Sequence, residues 1–504
     1  MTTISSLNRS TPAAASVSAT GTSSVSGPSG PAPSGASTVV SLGAGGAAPA
    51  DRPLVWENRV RSTAASLMAQ NYTSQPLAGR LKGLGAELLK QVAYDGEDFS
   101  QSVGQAPAGV HAETYDMLVM PSQVSQHGMG DNQISLSITT RSGVKVDLAL
   151  DAGDGSIAVE AHSSDKLNEA ERKALGKLAD AFQQAVDGLT EDPPRIDLAG
   201  LTQFDSAVLS SVDLKGQVKI NPKETQQLEF HADSTQRTVS FTGPAGSAKI
   251  GVDLSQPASW GGKEQQAKAL GRYLQQVDQA GLRGQGNGTM LGMFKDAFTD
   301  MNSDYGTPAM APRGIVLTDQ DRATTTGLAD FTASMSQAEV ASNPARSTEK
   351  DTFAYELSQK TAISGHTQLD RSISQQQQSH LKAQYHQPIK ADARLALDLS
   401  PNSQNYKYVT IDDSASSKTS VSYDNGVLVK AALEMQASRS MRVLTYSLGK
   451  LKDDHTTPSG KAATRDLMPA LGALAEANDE DRQQMLTALN NQIFLQSDPG
   501  AIAK

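Results

Sequence analysis

The 504-residue sequence contains no cysteine. That absence excludes disulfides, thiolate zinc sites, iron–sulfur clusters and cysteine nucleophiles together. Aromatic residues make up only 5%, thin for a surface that stacks bases or sugars. Charged residues stand at 19% and the net charge is -10, a balance that argues against a nucleic-acid or anionic-membrane binder. No apolar run reaches the roughly 18 residues a membrane-spanning helix needs. Alternating strands could build an outer-membrane barrel, but long amphipathic helices between them and missing aromatic girdles speak against one. Against these gaps stand an apolar fraction of 38% and 42 glycines, average globular figures that allow a buried core and about two to four domains.

The composition is uneven. Residues 1–50 hold 12 Ser, 10 Ala, 7 Gly, 6 Thr and 5 Pro, with Arg9 as the one charged side chain. Such a stretch buries too little apolar area to offset the entropy of ordering it, so residues 1–52 are predicted to be a disordered tail. It lacks the basic start and apolar run of a secretory signal peptide and the repeated arginines of a transit peptide. In its Ser-rich, acid-poor character it resembles the N-termini of type III and flagellar export substrates. Gly43-Ala44-Gly45-Gly46-Ala47-Ala48 matches the dinucleotide fingerprint, but Pro49 and Pro53 follow where a helix would have to begin.

Periodicity organises the rest. Leu54, Val55, Trp56, Val60, Ala64, Leu67 and Met68 recur at helical spacing, and a second helical stretch follows a turn near Ser74–Pro76. Ile134 to Ile138, Val144 to Leu150 and Ile157 with Val159 alternate with polar residues, broken at Ser142-Gly143 and Asp154-Gly155, as in hairpins. A helix from Leu167 to Leu189 follows, with Ser163, Ser164 or Asp165 as cap. A second meander is predicted over Leu228–Phe230, Arg237–Phe241 and Ala248–Leu254, then helices over Lys263–Leu282 and Leu291–Met301. Residues 303–350 read as a junction punctuated by Pro308, Pro312 and Pro344, with a helical patch at Leu328–Val340. Beyond it Phe353, Tyr355 and Leu357 alternate. Leu395–Leu399 and Tyr406–Thr410 read as strands, Val421–Lys430 as a hairpin about Asp424-Asn425-Gly426, and Arg442–Leu448 as a further strand. Helices over Thr464–Ala477 and Glu480–Gln496 close the chain, the last capped by Asn478 or Asp479. A segment of basic residue, alternating aliphatics and Asp occurs at Lys145–Asp151, Lys249–Ser255 and Arg394–Ser400, as a reused meander-plus-helix unit would give.

The expected fold class is α+β: antiparallel β-meanders packed against amphipathic helices, with a disordered N-terminal tail. The expected organisation is the tail (1–52), a helical lead-in with two meander-plus-helix units (53–302), the junction (303–350), and a mainly β region closed by two helices (351–504).

No catalytic signature accompanies this pattern. The histidines are His111, His127, His162, His231, His366, His380, His386 and His455; none forms a zinc-binding pair motif. His380 and His386 lie in a Gln-rich polar stretch and are expected to be exposed. Asp151–Ser156 lacks the alternating ligands of a calcium loop. Arg283–Gly288 lacks the Lys-Ser or Lys-Thr of a phosphate loop, and no nucleophile elbow occurs. Pairs such as Glu113 with Asp116 and Glu169 with Glu171 read as solvated positions near helix starts, and Trp56 and Trp260 as core residues. The helix from Lys263 is expected to cover its own sheet.

No catalytic residue, cofactor site or metal site is therefore assigned. The expectation is a non-enzymatic bacterial interaction or structural protein with a protein partner, exported without a cleavable signal or cytoplasmic. The alternative is a hydrolase-like enzyme whose site assembles in space near His231 or His366.

Overall fold

The computed structural model describes residues 54–58, 61–106, 125–305 and 315–502, apart from 391 and 475. The tail, with its dinucleotide-like glycines, and His111, Glu113 and Asp116 lie outside them. Contacts divide the chain after Asp51, and Arg52–Lys504 forms the second unit. The protein belongs to the mixed α+β class, and among the described residues no helix is long and apolar enough to cross a membrane.

Fifteen strands among the described residues form one antiparallel sheet. They are β1 (Leu54–Trp56), β2 (Phe99–Gln105), β3 (Asn132–Thr140), β4 (Lys145–Gly153), β5 (Ser156–Ser163), β6 (Leu209–Asn221), β7 (Glu224–Asp233), β8 (Gln236–Gly243) and β9 (Gly246–Asp253), then β10 (Asp330–Gln337), β11 (Thr352–Ser364), β12 (Ser372–Pro388), β13 (Tyr406–Asp424), β14 (Val427–Ser447) and β15 (Lys450–Asp466). The spatial order is β1-β2-β5-β4-β3-β6, after which sequence order holds to β15. The helices are α1 (Thr63–Asn71), α2 (Leu77–Leu81), α3 (Leu84–Asp95), α4 (Glu169–Thr190), α5 (Ala199–Thr202), α6 (Lys263–Gly284), α7 (Gly288–Met301), α8 (Asp319–Ala323), α9 (Met468–Ala473) and α10 (Asp479–Gln492).

The two faces of the sheet differ, because side chains alternate along each strand. One register line runs Phe99, Ala161, Leu148, Leu136, Leu214, Phe230, Val239, Ile250, Ala333, Leu357, Ser379, Ala415 and Ala437, from β2 to β14. Every member is buried, and all but Ser379 belong to the main hydrophobic core with residues of the long helices α3, α4, α6 and α7. The next line, one residue along each strand, runs Ser100, Glu160, Ala149, Ser135, Lys215, Glu229, Ser240, Lys249, Ser334, Glu356, His380, Ser414 and Ser438. None of these is buried. One-sided burial of an antiparallel sheet is what strict alternation encodes.

Toward the C-terminal half the buried face changes from apolar packing to a hydrogen-bonded layer. Gln359, Thr361, Gln375, Gln377, Ser417 and Thr419 point inward from β11, β12 and β13. Gln375 donates to Thr361 Oγ1 (2.9 Å) and accepts from Thr326 N–H (2.8 Å). Gln377 donates to the Ile493 carbonyl (2.9 Å) and accepts from Leu495 N–H (3.1 Å). The amides thereby satisfy loop and helix-end backbone groups that would otherwise be buried unpaired.

Several local expectations are corrected. Leu328–Val340 is not helical but carries β10: Phe331, Ala333 and Met335 are buried at period two, and β10 pairs with both β9 and β11. Leu395–Leu399 is irregular rather than a strand; Leu395 and Leu397 pack on Tyr406, Tyr408 and Tyr446 instead of pairing. Of the three similar segments, therefore, only those at Lys145 and Lys249 are strands. Thr464–Asp466 end β15, and the helix begins at Met468. Leu54–Trp56 is a short strand, not helix. The helix after the first meander is capped by Asn168, which accepts from Glu171 N–H while Glu171 accepts from Asn168 N–H. The turn at Asn425-Gly426 forms as expected, with φ of 50° and 81°.

One half-buried carboxylate is expected to make the fold pH-sensitive. Asp300, on α7, accepts from Leu198 N–H at 2.7 Å. Burial, reinforced by Asp197 and Asp296, pushes its pKa up to about 6 despite that hydrogen bond. A folded value above the unfolded one gives stability that is complete below the unfolded pKa and lost as pH rises through about 6. Asp300→Asn keeps an acceptor and removes the charge, so at pH ~7.5 it is expected to raise stability by about 1–3 kcal/mol, with the gain vanishing near pH ~4. Thermal unfolding of both proteins across that range checks this; a destabilised variant at the higher pH would contradict it.

Candidate functional site

The uncovered face of the sheet hollows over β8 to β14. One depression of about 630 Å³ is lined by Lys249, Ser334, Glu356, Gln378, His380, Ser414, Ser416 and Gln436 among others. A second, of about 730 Å³, adds Thr238, Asp253, Lys360 and Gln376. They share Thr332, Ser358 and Gln378, so they form one open trough. Each strand contributes one to three side chains from its outward parity. Hydroxyls, amides and charges of both signs dominate the lining. His380 Nε2 lies 2.8 Å from Asp412 Oδ1, which orients the ring at the trough's margin. Lys418 on β13 stands directly opposite Glu434 on β14, a favourable cross-strand pairing.

One end of this face is closed. The segment 338–351 folds over it, held by a bridge between Val340 and Asp351, and so does the irregular segment with Leu395 and Leu397. Beneath them Tyr406, Tyr408 and Tyr446 form a small separate core. His386 is buried among them, contrary to its expected exposure. Its Nδ1 lies 2.6 Å from Asp351 Oδ1 and its Nε2 3.2 Å from Glu349 Oε2, with tyrosine rings 4.8 and 5.0 Å away. Burial pushes Asp351 upward, but hydrogen bonds from His386 and Ser342 outweigh it and hold the carboxyl below its ordinary range. Tyr406 donates to Glu349 (2.6 Å) and is raised well above its ordinary value by burial and that carboxylate. Both ring nitrogens of His386 thus face carboxylates, an arrangement that clamps the covering segment and leaves no open position beside the ring.

The other described histidines are spread over separate strands and loops. His231 lies 2.7 Å from Asp213 and 3.1 Å from Asp233; burial opposes its charge, but the two carboxylates prevail and raise its pKa. His162 meets Asp98 at 2.7 Å and His127 meets Glu57 at 2.9 Å. His366 and His455 are exposed. Neither His231 nor His366 is among the residues that line the trough. Among the described residues no group of three His, Asp or Glu side chains is placed to hold a metal ion.

Other singled-out residues have structural partners. Arg283 forms a two-pronged ion pair with Asp413. Asp154-Gly155 makes the turn between β4 and β5. Trp260 packs against Tyr305 with ring centres 5.1 Å apart. The inward residues of α6, Tyr273 and Val277, join the main core. Sequence reading missed the trough because no two of its residues form a motif; register alone assembles them. No protein-family profile matches the chain, and no curated protein is similar to it.

Proposed function

We propose that this is a non-enzymatic bacterial interaction protein, exported through a type III or flagellar-like route by its N-terminal tail, that holds an extended hydrophilic polypeptide in the trough. The observation that carries the binding reading is the open polar trough itself, built on a face the protein's own helices leave uncovered. From β8 to β14 is six strand spacings, roughly 29 Å, which about eight or nine extended residues span. Hydroxyls and amides lining such a surface can exchange hydrogen bonds with a backbone, while Lys249, Glu356 and Lys360 select charge. The dispersion of the described histidines over β5, β7, β12, β15 and the loops supports binding rather than catalysis.

A photo-crosslinking residue at Ser334, Ser358 or Ser414, introduced in cells that express the protein, is expected to give one common adduct. Glu169 on α4, exposed and on the helix side, is expected to give none. Adducts at every position, or at none, would remove the reading. Export is tested separately by fusing residues 1–50 to a reporter; retention inside secretion-competent cells removes that part alone.

A further inference from the structure

The floor of the trough is neutral and its two sides are charged. Gly251, Thr332, Ser358, Gln378 and Ser416 stand opposite one another in one register line from β9 to β13. Two residues along the strands on one side lie Lys249 on β9 and Glu356 on β11, both opposite Ser334 of β10. Two residues along on the other side lie Asp253 on β9, Asp330 on β10 and Lys360 on β11. The order of sign therefore reverses across the floor. On one side a cation at β9 is followed by an anion at β11; on the other, anions at β9 and β10 are followed by a cation at β11. Among the described residues none of these five side chains closes an ion pair within the chain. Asp253 and Asp330 even face each other directly, an unfavourable pairing that a cation between them relieves.

We infer that the polypeptide held in the trough carries charged side chains in the order acid, base, base, acid where it crosses β9 to β11. The inference rests on the polypeptide-binding reading above. An extended chain sets its backbone N–H and C=O groups at right angles to its side chains, which alternate from side to side. Laid along the neutral line with its polar groups toward the hydroxyls and amides of the floor, it turns successive side chains to opposite sides of the trough. Three residues advance about 10 Å, which is also the spacing of two strands. A side chain that faces Lys249 at β9 is therefore followed, three residues on, by one that faces Lys360 at β11, and both are acidic. The two between them fall in turn against the Asp253–Asp330 pair and beside Glu356, and both are basic.

The opposite order, base, acid, acid, base, begins at Asp253 and ends at Glu356. It sets an acidic side chain beside Asp330, a like-charge contact that decides between the two orders. The favoured order reads the same from either end, so it holds whichever way the chain runs.

The test is fluorescence anisotropy of labelled Ser/Gln peptides titrated with the full chain at low salt. One peptide carries Glu-Lys-Lys-Glu at its centre and the other Lys-Glu-Glu-Lys, with identical composition and net charge. The wild-type protein is expected to bind the first at least about 10-fold more tightly. Lys360→Glu is expected to weaken that binding by at least about 10-fold. A third peptide, with Glu-Lys-Lys-Lys at its centre, is expected to recover it, which a folding defect would not allow. Equal binding of the two isomers, preference for Lys-Glu-Glu-Lys, no recovery by the third peptide, or no binding of any peptide up to ~1 mM would overturn the inference. The Ser358 adduct reports on the polypeptide reading itself, so a common adduct together with equal binding of the isomers would remove the charge order alone.

Discussion

Replacing Arg371 with leucine is expected to cost about 3–5 kcal/mol of folding free energy, because it leaves the Asp321 carboxylate buried without its cation. Asp321 is fully buried on α8, and Arg371, just before β12, is 6% exposed. Arg371 Nε donates to Asp321 Oδ2 at 2.8 Å, and its Nη2 to Oδ1 at 3.3 Å. Tyr423 donates to the same carboxylate at 2.8 Å, and the guanidinium lies 3.6 Å from the centre of the Tyr423 ring. Thr318 N–H and Oγ1 donate to Oδ2 as well. The pair thus ties the first turn of α8 to β12 and β13. Urea unfolding gives the loss. Asp321→Asn combined with Arg371→Leu is expected to lose less than the sum of the single changes, since the second removes no remaining ion pair. A loss below about 1 kcal/mol for Arg371→Leu would contradict the assignment.

The second large effect concerns the amide layer. Gln359 accepts from Tyr273 Oη at 2.9 Å and Thr326 Oγ1 at 2.6 Å, and its amide donates to the Leu328 carbonyl at 2.9 Å and the Ala329 carbonyl at 3.3 Å. Leucine fills a similar volume but ends one bond short and makes none of these bonds. Gln359→Leu is therefore expected to cost about 3 kcal/mol or more, because each buried polar group left unpaired costs about 1–3 kcal/mol. Tyr273→Phe alone is expected to cost about 1 kcal/mol. Placed on the Gln359→Leu background it is expected to cost nothing or to recover stability, since it removes an orphaned hydroxyl. Additive losses in that double-variant cycle would contradict the network.

These two networks mark where the fold was legible in the sequence and where it was not. Alternation in Ile134–Ile138, Val144–Leu150 and Ala248–Leu254 reports one-sided burial directly, and β3, β4 and β9 follow it. The Asn-Gly turn and the apolar stripes of α4, α6 and α7 are equally direct. β12 hides its period because both faces carry the same residue type: Gln375 and Gln377 point inward while Gln376 and Gln378 point out. β15 has Leu451 as its one large aliphatic residue, and with both faces exposed it leaves no alternation to read. The opposite error occurs at Leu395–Leu399, where alternating leucines serve a small tyrosine cluster rather than a strand. The burial of His386 was hidden because the segment that covers it arrives from 35 to 37 residues away, through Asp351 and Glu349. The trough draws its side chains from seven strands, β8 to β14, spread between Gln236 and Ser447, so only the register brings them together.

That register separates stability from binding by a single position along β11. Leu357 belongs to the buried line and Glu356 to the open one. The decisive measurement is a paired determination of folding free energy and of the Ser358 crosslinked adduct for Glu356→Lys and Leu357→Ser. Glu356→Lys is expected to keep folding stability within about 0.5 kcal/mol and to lose the adduct. Leu357→Ser, which removes core volume and buries a hydroxyl, is expected to lose about 3 kcal/mol or more. A Glu356→Lys protein that unfolds, or that remains folded and still forms the adduct, would contradict the account.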